Sequence, residues 1–153
     1  MTQCKVMADG RSVGLKKGTV RRGEEFEVLL YVPREKGLTE ASLFIRKDDG
    51  EDFAGYLMEW RDLEEDCDVY SCAIPADETG IFWFYFETQG YYGRELSYKE
   101  DYSIVLSPDR GYVSELQLTV YDRQYEVPEF IRGGMFYHIF VDRFRRGEKT
   151  PWE

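Results

Sequence analysis

Gly80-Ile81-Phe82-Trp83-Phe84-Tyr85-Phe86-Glu87 is the stretch that decides the fold. Its run of apolar and aromatic side chains is short for a helix and rich in residues that pack well on a pleated surface. It predicts a central β-strand covered on both faces, as continuous apolar strands usually are. Turn formers bound it on both sides. Glu78-Thr79-Gly80 leads in, and Gln89-Gly90-Tyr91-Tyr92-Gly93 leads out as a glycine-bracketed tip.

Working outward, other short runs alternate with a period of two, which places every second side chain on one face. Phe26, Val28, Leu30 and Val32 share a face within Glu25 to Val32, before Pro33 and Gly37 break the run. Ala41, Leu43 and Ile45 alternate with Ser42, Phe44 and Arg46. Asp48-Asp49-Gly50 then supplies residues that tolerate a tight turn, and Phe53 to Trp60 resumes as the returning arm of a hairpin. Val69 to Ile74, closed by Pro75, is a further strand, and Leu116, Leu118 and Val120 mark the last. Seven or eight short strands without an amphipathic helix predict an all-β fold over residues 1–122, an immunoglobulin-like antiparallel β-sandwich.

The pattern changes after Tyr121. Residues 123–134 contain Pro128 and Gly133-Gly134 without a clear period and are predicted to be a linker. Met135-Phe136-Tyr137-His138-Ile139-Phe140-Val141 then has the pattern of a buried strand but is followed by no partner strand. Residues 135–153 are therefore expected to begin a second domain that the chain does not complete.

Thirty acidic against 20 basic residues give a net charge of -10, which opposes binding to nucleic acid and to anionic membranes. No apolar run approaches the ~18 residues of a membrane span, and Met1-Thr2-Gln3-Cys4-Lys5 does not lead into a signal-peptide core, so a cytoplasmic protein is expected. Cys4, Cys67 and Cys72 have no metal-ligand spacing, and Cys67 and Cys72 point to opposite faces of one strand, so they are read as reduced thiols. His138 is the only histidine and lies inside an apolar run, where a structural role is the ordinary one. Pairs such as Glu64-Glu65 and Asp48-Asp49 are read as solvated turns rather than acid/base machinery. No catalytic residue, metal or cofactor is predicted for this chain.

The C-terminal residues carry a family resemblance. Tyr137-His138-Ile139-Phe140-Val141-Asp142-Arg143-Phe144, followed by Gly147, resembles the first barrel strand of the α-amylase family, usually written Tyr-Gln-Ile-Phe-Pro-Asp-Arg-Phe. Gly80 to Glu87 and Leu116 to Asp122 are similar to the closing strands of the N-terminal domain in its neopullulanase and amylopullulanase branch. Pro128 and Phe130 stand where that branch has a Thr-Pro-x-Trp linker. The sequence departs from the pattern at His138, Val141, Arg146 and Glu148. Some members hold calcium in the loop after this strand, but Arg145 and Arg146 place cations there, so no calcium site is predicted. The resemblance implies a parent enzyme that hydrolyses α-glucans such as starch, pullulan, glycogen or maltodextrins on a (β/α)8 barrel, with catalytic carboxylates on later strands than this chain contains. The chain itself would be the non-catalytic accessory sandwich, shaping the substrate cleft or a dimer.

A second reading is a glucan-binding module that presents exposed aromatics to sugar rings. Trp60, Trp83, Tyr91 and Tyr92 are the candidate carbohydrate-binding residues, because the C–H face of a sugar packs on an aromatic plane. Burial in the core is the ordinary fate of each tryptophan, whereas flanking glycines favour exposure of the two tyrosines. A third reading is a purely structural interaction domain. The strand at 136–141, without a neighbouring barrel strand, is expected to fold back on the sandwich or to pack against a neighbouring molecule, as a homodimer made by strand exchange.

Overall fold

A computed structural model describes residues 2–7, 18–100 and 103–122, together with 129 and 131. The linker and the strand expected at 136–141 lie outside the described residues. Residues Met1–Arg123 group as one compact unit. Among the described residues there are eleven strands and one short 3-10 turn, Arg34–Lys36. No helix is long and apolar enough to cross a membrane among them.

The strands form two sheets. Sheet A has the order β1 (Thr2–Met7), β3 (Glu25–Pro33), β7 (Cys67–Pro75), β6 (Glu59–Glu64). Sheet B is built on β8 (Gly80–Gly90). One edge of β8 pairs with β4 (Glu40–Lys47), which pairs in turn with β5 (Ala54–Leu57). The other edge is shared: its first half pairs with β11 (Leu116–Tyr121) and its end with β9 (Gly93–Glu100). β10 (Ser103–Ser107) flanks β9, and β2 (Thr19–Arg21) flanks β11. All pairings are antiparallel except β1 with β3 and β2 with β11.

One core cluster joins the sheets, with Phe26, Val28, Leu30 and Val32 of β3 facing Ala41 and Leu43 of β4 and Phe84 and Phe86 of β8. These are the faces read from the period of two. Burying such side chains contributes roughly 1.5–3 kcal/mol each.

Three expectations are corrected. β8 is central in its sheet but covered on one face only: Phe84, Phe86 and Thr88 are buried, Trp83 and Tyr85 are half-buried, and Ile81 is exposed. Aromatic content signals a strand without reporting how many layers cover it. Phe53 to Trp60 is not one arm, because Met58 turns inward with its N–H on the Ala41 carbonyl, leaving β5 in sheet B and β6 in sheet A. The strands among the described residues number eleven where seven or eight are expected, β9 and β10 being among the additional ones. Arg94, Glu95, Lys99 and Glu100 obscure the period of β9, whose Tyr98 is buried under the connection to β11: Tyr112 packs edge-on at 5.2 Å, and the Arg110 backbone N–H donates to the Tyr98 hydroxyl at 2.8 Å.

Asp48-Asp49 does occupy a turn, whereas of Glu64-Glu65 only Glu65 does, together with Asp66, because Glu64 ends β6. Glu65 and Asp66 both have positive φ, the pair of left-handed residues that a type I′ hairpin turn requires.

Cys67 and Cys72 lie on opposite faces of β7, Cys67 beside Leu29, Tyr31 and Val69 and Cys72 against the main core. Burial, with a smaller contribution from the Glu27 charge, pushes the Cys72 thiol up to about 12. Only the thiolate is nucleophilic, so at pH 8 roughly one Cys72 in ten thousand is reactive at any moment. Mass spectrometry after iodoacetamide treatment at pH 8 should find Cys72 unmodified in the native chain and modified in denaturant. Full modification within minutes under native conditions would contradict its burial.

Candidate functional site

Gly90 and Gly93 pair across the end of the β8–β9 hairpin, leaving Tyr91 and Tyr92 as the turn. Neither tyrosine has positive φ; Gly93 does, at 85°. The hairpin therefore closes by moving the left-handed residue to a glycine, which frees the two turn positions for large side chains. Tyr91 and Tyr92 are 81% and 67% exposed.

Exposed as they are, both rings are braced by the end of the 3-10 turn and the glycine that follows it. The Tyr91 N–H donates to the Lys36 carbonyl at 3.1 Å, and Thr39 N–H donates to Gln89 at 2.8 Å, which ties that segment to the hairpin. A Cβ placed on Gly37 would lie 2.1 Å from the Tyr91 ring, so the ring rests on the bare glycine backbone. Gly37 also has the left-handed φ of 53° that ends the 3-10 turn. The Lys36 ammonium sits 5.4 Å from the centre of the Tyr92 ring. It is held there by Glu95 at 3.2 Å and by the Leu106 carbonyl at 3.3 Å. Glu95 is buried, and the ion pair anchors the tip from below. The arrangement can offer two fixed aromatic planes to a flat apolar surface.

Trp60 and Trp83 are elsewhere. Trp60, 56% exposed, lies on β6 at an edge of sheet A, and its indole N–H donates to Asp68 at 3.0 Å. A register shift between Trp60 and Asp62 marks a bulge, a common device for blunting a sheet edge. Trp83 lies on the outer face of sheet B, its indole N–H on Asp48 at 2.5 Å. It is seven residues from Gly90 along β8, or ~23 Å at strand rise. The four candidates thus form three separate places, and only Tyr91 and Tyr92 come together.

No family model and no curated protein matches the chain.

Around Trp83 the sheet gathers aromatics that the linear pattern did not single out. Tyr85 stacks on Phe44 with ring centres 5.3 Å apart and 14° between planes, and Phe53 meets Tyr85 edge-on at 5.2 Å. Two arginine–carboxylate pairs flank them, Arg46 with Glu115 at 2.6 Å and Arg94 with Glu87 at 2.7 Å. The hydrogen bond from Arg94 holds the Glu87 carboxyl below its ordinary range, while burial raises the Tyr85 hydroxyl. Because Glu87 is depressed in the folded state, its contribution to stability is present above the usual carboxylate range and is lost as pH falls. The alternation of β4 signalled Phe44's face, but its position against Tyr85 depends on the β4–β8 register. These rings are mostly occupied with one another. The tyrosine tip is the more accessible surface.

Proposed function

We propose that this chain is the immunoglobulin-like accessory sandwich of an α-glucan-hydrolysing enzyme of the neopullulanase type, and that Tyr91 and Tyr92 touch the glucan. The observation that carries the reading is the braced tyrosine pair. Two exposed rings held in place add little to the core, yet they lose little further freedom when a sugar stacks on them. In support of the family, the two stretches that carry the resemblance within the sandwich are neighbours: Leu116 of β11 lies opposite Phe84 of β8. The expected partners are starch, pullulan or maltodextrin and the catalytic barrel of the same chain, with the chemistry supplied by that barrel.

Replacing Tyr91 and Tyr92 together by Ala tests this. Affinity electrophoresis in amylopectin should show binding weakened at least ~tenfold, as loss of stacking planes requires. The melting temperature should fall by less than ~3 °C, because exposed side chains contribute little to stability. Equal retardation of parent and variant would remove glucan binding from the tip and favour the structural interaction domain.

A further inference from the structure

One end of the sandwich holds a cavity of about 230 Å³ between the sheets, at a distance from the tyrosine tip and independent of the reading above. Its walls are mostly apolar. Phe26 and Ile74 of sheet A face Phe82, Leu118 and Val120 of sheet B. The space remains open because Ala54 and Ala76 stand on its lining, where longer side chains would close it. Ala76 is fixed in place by its backbone, with N–H to the Glu24 carbonyl at 3.0 Å and its own carbonyl accepting from Gly23 at 2.7 Å.

The pocket is open to solvent on one side, and its volume exceeds the roughly 150 Å³ that holds benzene in an enclosed apolar cavity. The ligand's body can therefore be one aromatic ring with two or three further carbons. The charged residues on the lining set its charge. Arg46 and Lys47 are among them, but Arg46 is paired with Glu115 at 2.6 Å and Lys47 with Glu78. Asp48 adds negative potential at Arg46, and Asp49 does so at Lys47. Asp52, also on the lining, has no ion-pair partner among the described residues. Both cations are neutralised and one carboxylate is left over, so a cationic head is favoured and an anionic one repelled.

We propose that this cavity binds a small arylalkyl ammonium compound, with the ring between the sheets and the ammonium group at the Asp52 carboxylate. Titration calorimetry of the full chain with 2-phenylethylamine tests it. Saturable one-to-one binding is expected in the ~0.1–1 mM range usual for so small a ligand. The neutral isostere 2-phenylethanol should bind about tenfold more weakly, as loss of one charged contact implies, and 3-phenylpropionate should not bind. Asp52→Asn should bring 2-phenylethylamine down to the affinity of the alcohol. Ala76→Leu should abolish binding of both by filling the space. Ala54→Leu, at an exposed wall position, serves the same purpose if Ala76→Leu does not fold by circular dichroism. No saturable binding, undiminished binding to the filled variant, or tighter binding of the carboxylate would each overturn the proposal.

Discussion

Replacing Phe84 by Ala should lower the unfolding free energy by about 3–5 kcal/mol, a large share of the roughly 5–15 kcal/mol that a domain possesses. Phe84 is 0% exposed on the inner face of β8, the strand to which β4, β9 and β11 all attach. Its neighbours in register are Ile45 on one side and Leu116 on the other, both buried, and Phe86 meets it edge-on at 5.8 Å. Removing the ring opens a void whose walls belong to several paired strands and cannot collapse without shifting register. Urea unfolding followed by tryptophan fluorescence measures the loss. Phe84→Leu, which retains much of the volume, should cost about 1–2 kcal/mol by the same reasoning. A loss below about 1 kcal/mol for the alanine variant would mean that Phe84 does not sit at the centre of the core.

Lys36→Met should be destabilising by about 3 kcal/mol, because it leaves a buried carboxylate without its cation. The side chains of Lys36 and Glu95 are 15% and 6% exposed, so solvent does little to screen the pair. The double variant Lys36→Met/Glu95→Leu should regain most of the loss, since removing both charges removes the cost of keeping one of them dry. The same single substitution takes the ammonium from beneath Tyr92 and weakens the bracing of the tip. Denaturation of the parent, the two single variants and the double variant forms a cycle that isolates the coupling. Equal loss in the double and in Lys36→Met would show that the pair is not what stabilises this region.

The two residues illustrate what kinds of information a linear pattern holds. That Phe84 belongs in a strand follows from its neighbours alone, whereas that Lys36 meets Glu95 does not, because 59 positions separate them. The tip was legible for the same local reason as Phe84. Gly90-Tyr91-Tyr92-Gly93 is a complete turn signal, and glycine at 93 permits the φ that a tyrosine would resist. Trp60 and Trp83 were legible as aromatics but not as surfaces, since exposure depends on what else covers the face. Trp60 remains open at a sheet edge, while Asp48 holds the Trp83 indole.

By itself the sequence determined the strand character of these segments, the inward faces of β3 and β4, the tyrosine turn and the absence of a long helix among the described residues. Each follows from a period of two or from a few turn residues acting within their own segment. The tertiary structure alone decided that β8 serves three partners, that Met58 sends one arm to each sheet, that Gly37 and Lys36 brace the tip, and that Ala54 and Ala76 leave a cavity. Those outcomes depend on register and on which faces cover one another. They are fixed by contacts between residues far apart in the chain, whose worth is set only when both partners are already in place.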